Sequence, residues 1–334
     1  MEVIARANLG EQSNSEMPSL SKIVPLNPDL ISNRVKQIWA VGGGKGGIGK
    51  SFLASSIAIS LAKMGNTVIA IDLDLGGANL HTVLGLEHPR KSLNDYLMGH
   101  VAHLKDCVVP SGIPNLGLIC GSQNTTHFLS DKKSHFLDTV KTLNADYLVF
   151  DLGAGMNDYT LDFFILSDIR IVTILPEPTS IENAYRFIRS CYFKYLASNE
   201  TLRDIRSLIE MAIDSRNEVG IQSPNDLFRH VNKVKPECIG RLTEEIKKFS
   251  PYIVINQART KGDIDIGNSI KVVCKKYFGI DAEYTGHLDY DSSVWQSVRR
   301  KKPLMLDFPD SGLVTSVEKI IQNIIKWQTL KIMK

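Results

Sequence analysis

The stretch VGGGKGGIGKS, residues 41 to 51, decides the fold of this 334-residue chain. Residues Gly44 to Ser51 satisfy the pattern G-x-x-x-x-G-K-[ST], after an apolar run and before the helical pattern FLASSIAISLAKM. With both flanks present, the pattern predicts a phosphate-binding loop between a strand and a helix. The alternative is a glycine-rich turn that binds no ligand.

The loop residues have predicted roles in binding a nucleoside triphosphate. Backbone N–H groups and the N-terminal end of the following helix would hold the phosphates. Lys50 is expected to reach the β- and γ-phosphate oxygens, and Ser51 to ligate Mg²⁺. The predicted cofactor-binding residues of the loop are Gly44, Lys45, Gly46, Gly47, Ile48, Gly49, Lys50, Ser51 and Phe52.

Lys45 is a second lysine that this geometry does not need. A further cation beside Lys50 would repel it unless anionic charge were shared between them, so Lys45 could instead point outward. KGGIGKS resembles the deviant Walker A motif of the MinD/ParA ATPases. The resemblance implies ATP and Mg²⁺ as cofactors, and a Lys45 that crosses a dimer interface to the partner's nucleotide. Such a cation is uncompensated until the other subunit's phosphates arrive.

Three aspartates follow apolar runs that read as strands. Asp72 and Asp74 lie two residues apart in AIDLDLGG, and therefore on one side while the chain stays extended. This stretch is similar to the family's D-x-D-x-G motif, which implies that Asp74 positions the attacking water and Asp72 supports the metal shell. Asp151 in YLVFDLG has the position of a Walker B carboxylate that holds Mg²⁺. The alternative for each is an ordinary strand-end role. Lys45, Lys50 and Asp74 are the predicted catalytic residues.

Contacts with the base are expected farther along the chain, at the carboxyl edge of the sheet. Asn256 can offer both a donor and an acceptor to adenine. The family resemblance also matches Tyr290 and Asp291 to the loop that closes over the base. The family usually has proline where this chain has Asp289.

Short apolar runs alternate with helical patterns along most of the chain, which predicts βαβ units. The fold class is therefore α/β, with a doubly wound, mostly parallel sheet flanked by helices. The predicted strands lie in VKQIWAVGG, TVIAIDLDL, LGLIC, YLVFDLG, RIVTILPEP, YIVINQ and AEYTGHL.

The domain organisation is a polar, flexible tail over residues 1–33 and a single ATPase domain over 34–334. At about residues 195–249 the strand patterns give way to helical spacing, which predicts an inserted helical segment. This segment would cover the sheet or dock a partner. Ser223 before Pro224 marks a helix start there. One apolar helical face is expected from Leu202, Ile205, Leu208, Ile209, Ala212 and Ile213.

Composition points to a cytoplasmic protein. Lys plus Arg exceed Asp plus Glu by three (39 − 36), which does not imply a nucleic-acid or membrane partner. The five cysteines lack C-x-x-C spacing and are expected to be buried thiols. No stretch reads as a signal peptide or a membrane span.

Two basic segments are candidate contacts for a surface. In the C-terminal stretch SVEKIIQNIIKWQTLKIMK, the residues Val317, Ile320, Ile321 and Ile324 are expected to pack on the sheet. The Trp, Lys and aliphatic residues beyond them could touch the inner face of the cell membrane. The run from Arg299 to Lys302 could contact DNA phosphates, although such a run is usually a solvated face.

Within the family, DLDLGGANLHTVLG, DLGAGMNDYTLDFF, PEPTSIENAYRFI and DYDSSVWQSVRRKKP resemble the flagellar-number regulators FlhG/FleN. The resemblance implies a positioning switch that forms a homodimer with ATP and serves a flagellar or polar partner or division-site selection. The tail has no D-Q-A-x-x-L-R activator motif. The alternatives are a ParA-type DNA or cargo partitioning ATPase, an ATP-dependent enzyme similar to cobyrinic acid or dethiobiotin synthetases, and an iron–sulfur carrier or nitrogenase-type reductase.

Overall fold

The computed structural model describes residues 35, 37–74, 77–87, 89–121, 136, 138–213, 220–221 and 223–332. The predicted N-terminal tail lies outside these residues. Within them, eight strands form one sheet. In chain order the strands are β1 Gln37–Gly42, β2 Val68–Leu73, β3 Val109–Pro110, β4 Leu116–Ile119, β5 Tyr147–Leu152, β6 Ile169–Ile174, β7 Tyr252–Ala258 and β8 Glu283–Asp289.

The strand order across the sheet is β3-β4-β2-β5-β1-β6-β7-β8, and every neighbouring pair is parallel except β3 with β4. Each predicted strand is present, so the α/β prediction is confirmed. The sequence patterns missed β3, because it has two residues and includes a proline. The carboxyl ends of β1, β2 and β5 lie side by side, with Asp72 in register with Asp151.

Helices cover both faces of the sheet. In chain order they are α1 Lys50–Lys63, α2 Leu80–Val83, α3 Leu93–Leu97, α4 Asp158–Leu166, α5 Pro178–Ser198, α6 Arg206–Ile213, α7 Pro224–Val234, α8 Ile239–Lys248, α9 Lys261–Val273, α10 Ser292–Arg299, α11 Leu304–Asp307 and α12 Gly312–Ile332. The chain also forms 3₁₀ turns at Leu104–Cys107, Glu200–Ile205 and Pro236–Cys238, and a π-helical turn at Cys274–Phe278.

Side-chain alternation along the strands divides the core into two layers. In β1, Ala40 belongs to the layer that contains α4 and α5, whereas Trp39 and Val41 belong to the layer that contains α1 and α12. The C-terminal helix contributes six buried residues to the second layer. Four of them, Val317, Ile320, Ile321 and Ile324, were predicted, and Leu313 and Val314 join them. All five cysteines are buried, which also agrees with the prediction.

Where the structure describes them, residues 195–249 form helices and 3₁₀ turns joined by short connections, and their apolar side chains extend the α4–α5 layer. The helix start at Ser223 is confirmed, because Ser223 and Asp226 form a capping box. The predicted single helical face was partly wrong. Leu202 and Ile205 are buried from a 3₁₀ turn, whose tighter winding changes the phase, and Ile213 is 47 % exposed at the end of α6.

Candidate nucleotide site

The phosphate loop connects β1 to α1, as the motif predicts, and glycine is required at two of its positions. A Cβ atom on Gly44 would collide with the carbonyl oxygen of Asn183 in α5. Gly49 has a φ of 88°, and a Cβ atom there would collide with the side chain of Asn256. Helix α1 begins at Lys50, directly after this loop, so its first N–H groups have no acceptor within the helix and make the loop a site for anions.

Lys50 is buried in this loop. Its ammonium group donates a hydrogen bond to the carbonyl oxygen of Lys45 at 3.2 Å. Burial lowers the pKa of Lys50, and the nearby carboxylates of Asp151 and Asp74 partly oppose that shift. Lys50 is thus an enclosed cation at the centre of the loop, the environment expected for a phosphate-binding lysine.

Lys45 has the opposite environment. Its side chain is 41 % exposed, and its Nζ lies 3.7 Å from Oε2 of Glu177, which is 56 % exposed. Such an exposed and long ion pair contributes little stability, so a stronger anion can replace it. Glu177 comes just before α5, and the sequence analysis did not assign it a role. Glu177 lies in the phrase PEPTSIENAY, whose resemblance to the flagellar regulators was the sequence feature that could have indicated a role.

Asp151 lies at the end of β5 and is buried. Neither carboxylate oxygen makes a hydrogen bond of ordinary geometry within the described part of the chain. Burial raises the pKa of Asp151 well above its usual value, and the charge of Asp72 adds to this; the hydroxyl of Ser51 and the charge of Lys50 act in the opposite direction. A buried carboxylate that makes no hydrogen bond of ordinary geometry to the described residues, and that lies near the Ser51 hydroxyl, fits a Mg²⁺ site.

Protein ligands alone do not complete such a site. Within the described ranges, no cluster of three or more His, Cys, Asp or Glu side chains could hold a metal ion. Mg²⁺ is usually held by one or two protein groups together with substrate phosphates and waters. The residues present therefore fit Mg²⁺ that arrives with a nucleotide.

Asp72 has a different role from Asp151 although the two are in register. One of its oxygens accepts a hydrogen bond from the N–H of Asp74 at 3.0 Å, and the other from the N–H of Leu80 at 3.0 Å. Burial raises the pKa of Asp72 to about 6, and these hydrogen bonds limit the shift. The structure thus favours the strand-end alternative for Asp72. Its support of the metal shell stays a prediction.

Asp74 follows the last residue of β2, so the extended geometry assumed for the two aspartates ends between them. Asp72 is fully buried, whereas Asp74 is half-buried. A Cβ atom on Gly153, after β5, would lie 3.0 Å from a carboxylate oxygen of Asp74. Asp74 also contributes to the electrostatic environment of both Lys50 and Asp151. The structure therefore brings the predicted catalytic carboxylate to the loop.

Asn256 lies beside the phosphate loop at the end of β7. Its side-chain NH₂ donates to the carbonyl oxygen of Ile48 at 2.8 Å, and its side-chain oxygen accepts from the N–H of Gln257. Both ends of the carboxamide are therefore occupied. Asn256 ties β7 to the loop, and its predicted contact with adenine stays a prediction.

The predicted base-closing residues lie where β8 passes into α10. The guanidinium of Arg259 stacks over the exposed ring of Tyr290, with its carbon 3.9 Å from the ring centroid. Asp291 is the N-cap of α10 and accepts a hydrogen bond from the N–H of Ser293 at 2.8 Å. Asp291 thus has a structural role, whereas Tyr290 and Arg259 present a flat surface to solvent.

The two basic segments are partly engaged within the molecule. Arg300 pairs with Asp307 at 3.3 Å, and Arg299 stacks on Trp295. At the end of α12, Lys331 lies over the ring of Tyr252 and Lys271 over the ring of Trp327. The C-terminal helix therefore packs on the body as far as it is described.

Comparisons with known proteins agree with this geometry. A family model described as "ParA: NUBPL iron-transfer P-loop NTPase" matches residues 34–194. The chain is 34 % identical to the flagellum site-determining protein YlxH of Helicobacter pylori over 286 residues, which cover 84 % of this chain and 79 % of that protein. It is 25 % identical to the antiactivator FleN of Pseudomonas aeruginosa over 295 residues, or 87 % of each chain.

Solved structures show the same fold. The septum site-determining protein MinD of Pyrococcus horikoshii, solved with Mg-ADP, superposes with a TM-score of 0.58 at 18 % identity, covering 88 % of this chain and 98 % of that one. MinD in a MinC:MinD complex from Aquifex aeolicus gives a TM-score of 0.57 at 20 % identity, with 87 % and 96 % covered. Among the residues that the structure describes, no helix is long and apolar enough to cross a membrane.

Proposed function

Because the chain belongs to the MinD/ParA family of P-loop ATPases, together with the flagellar regulators FleN and YlxH, we propose that it is an ATP-driven positioning switch. It binds Mg-ATP, forms a homodimer in that state, and returns to the monomer after hydrolysis. Its task is to regulate the number or placement of flagella. Division-site selection is the second candidate task, since MinD proteins are also among its relatives.

One observation carries this proposal: the two lysines of one loop lie in opposite environments. Lys50 is enclosed, whereas Lys45 is half-exposed with a weakly held counter-ion. A P-loop that acts within one subunit needs only the enclosed lysine. The exposed lysine supports a role in trans, in which a partner's bound phosphates replace Glu177 as its counter-ion.

Each residue of the site has a separate role in ATP hydrolysis. Bound Mg-ATP would supply the transferable phosphoryl group and the divalent charge. Lys50 and the loop N–H groups bind phosphate oxygens, and Ser51 and Asp151 hold the metal. Asp74 holds the attacking water in place. Phosphoryl transfer depends mainly on such positioning and charge stabilisation, so these few residues suffice.

Membrane contact through the C-terminal helix is part of the proposal under one constraint. The most apolar face of α12 is already buried against the body, and Ile325 and Leu330 are the exposed large apolar residues among the helix side chains that the structure describes. A peripheral contact from the cytoplasm would thus use the end of the helix. Partner proteins of flagella or the cell pole belong to the same proposal.

A specific observation favours one alternative, partitioning on DNA. Arg299, Lys301 and Lys302 are exposed on one segment, and clustered cations bind phosphates without sequence preference. Iron transfer, named in the matching family model, receives no such support, because all five cysteines are buried.

Genetic replacement in the source cell tests the proposal. Lys50→Ala and Asp74→Ala alleles are introduced, flagella are counted by electron microscopy, and each protein is localised as a fluorescent fusion. The proposal predicts altered flagellar number or placement, and polar or membrane foci of Asp74→Ala that Lys50→Ala lacks. Normal flagella with minicells would indicate division-site selection, and nucleoid coating by Asp74→Ala would indicate partitioning. Normal flagella and normal division in both strains would refute the proposal.

A further inference from the structure

A cavity of about 340 Å³ lies away from the phosphate loop, where α7 and α8 meet the π-helical turn Cys274–Phe278. Its volume is within the range of small-molecule sites, roughly 300 to 1,000 Å³. Helix α5 contacts the phosphate loop as far as Asn183 and reaches the cavity at Tyr192, nine residues (192 − 183) or about 14 Å further along the helix at ~1.5 Å per residue. The cavity is therefore separate from the nucleotide site.

Aromatic side chains form its walls. Phe228 comes from α7, Phe278 ends the π-helical turn, and Tyr192 comes from α5. Pro224 and Ile246 add aliphatic surface. Walls of this kind favour a ligand with a planar, largely apolar body, because aromatic rings pack best against flat groups.

A polar group without a partner lies in the same wall. Tyr192 is fully buried, and its hydroxyl has no hydrogen-bond partner within the described residues. Burial also raises the pKa of Tyr192, so the hydroxyl keeps its proton. A buried hydroxyl without a partner costs free energy, but this oxygen has no surface open to the cavity, so the binding of a ligand rests on the other side chains of the walls.

Positive charge borders the cavity. Lys247 pairs with Glu244 at 2.9 Å, and Lys275 pairs with Asp281 at 2.6 Å, with all four side chains at least 46 % exposed. Asp281 lines the cavity too, so its charge opposes an anion. Ion pairs this exposed contribute little, and either lysine can turn to a bound anion at low cost.

We propose that this cavity is a binding site for a small organic anion with a planar apolar body, such as an aromatic carboxylate or phosphate. The body lies between Phe228 and Phe278, and the acidic group is bound by Lys247 and Lys275. The proposal does not depend on the nucleotide function proposed above, because none of the cavity residues belongs to the phosphate loop.

Two fluorescent dyes test the site in the full chain under saturating Mg-ATP. Anilinonaphthalene sulfonate has a planar body and an anionic group, and phenylnaphthylamine has the same body without the charge. Saturable binding of the sulfonate to one site is expected. Lys247→Gln with Lys275→Gln should weaken it about tenfold and leave the uncharged dye within about twofold. Lys319→Gln with Lys326→Gln, which removes the same charge from α12 on the other face of the sheet, should change neither.

A variant that fills the cavity gives an independent test. Thr243→Phe places a ring in the cavity from α8, where the present hydroxyl bonds only to the carbonyl of Ile239. It should abolish binding of both dyes while its thermal unfolding stays cooperative. Unchanged binding in Thr243→Phe, equal loss in both lysine pairs, or no saturable sulfonate binding while Mg-ATP is saturating would each overturn the proposal.

Discussion

The ammonium group of Lys50 donates a hydrogen bond to the backbone carbonyl of Lys45 at 3.2 Å, so the two lysines of the phosphate loop are directly linked. The backbone of Lys45 holds Lys50 inward, while the side chain of Lys45 extends outward to Glu177. One short loop can therefore bind its own nucleotide with one lysine and offer the other to a second subunit.

Asn256→Ala should loosen the phosphate loop. The substitution removes the hydrogen bond from β7 to the carbonyl of Ile48, which is worth about 1 kcal/mol. We expect a fall in ATP affinity of about fivefold, measured by isothermal titration. Gln257→Ala, at the next position of the same strand, is the control and should bind as the unchanged protein does. Equal affinities in both variants would show that Asn256 does not hold the loop.

Asp151→Asn should weaken metal binding without lowering the stability of the fold. The neutral side chain avoids a buried charge, so the nucleotide-free variant is expected to be at least as stable as the unchanged protein. Its ATP binding should no longer be strengthened by Mg²⁺. Chemical denaturation and nucleotide titration with and without Mg²⁺ measure the two effects. If Mg²⁺ still strengthened ATP binding in this variant, Asp151 would not be a ligand of the metal.

The carboxyl groups of Asp151 and Asp72 should make the free energy of unfolding depend on pH. The folded-state pKa of Asp72 is raised to about 6, and that of Asp151 is also raised. The unfolded chain therefore loses these protons first, and the stability that these two carboxyls contribute to the nucleotide-free protein should be lost as pH rises from about 4 through the raised values. Unfolding measured between pH 4.5 and 7.5 should show less loss in Asp151→Asn. Parallel curves for both proteins would contradict this origin.

Asp72→Ala should destabilise the fold. It leaves the N–H groups of Asp74 and Leu80 without their acceptor, which costs about 2–4 kcal/mol for one partly buried and one buried donor. Urea denaturation measures the loss. Asp74→Ala, in the same loop but half-buried, should cost less. A larger loss in Asp74→Ala would mean that the strand end is organised differently.

Much of the fold follows from local patterns in the chain. Each apolar run between Gln37 and Asp289 that was predicted as a strand is one, and the glycine pattern placed the phosphate loop correctly. The two-residue spacing of Asp72 and Asp74 could not reveal their different environments, because the strand ends between them. The hydrogen bond of Asn256 and the ion pair of Glu177 join segments far apart in sequence. Local spacing carries no information on such contacts.

The central claim is that Lys45 couples ATP binding to dimerisation. Its test is analytical ultracentrifugation of Lys45→Ala in an Asp74→Ala background with Mg-ATP, beside Asp74→Ala alone and with bound nucleotide quantified. Asp74→Ala alone is expected to retain ATP and stay dimeric. The double variant should retain ATP within about threefold of that affinity and sediment as a monomer. A double variant that holds ATP and still dimerises would contradict the role of Lys45.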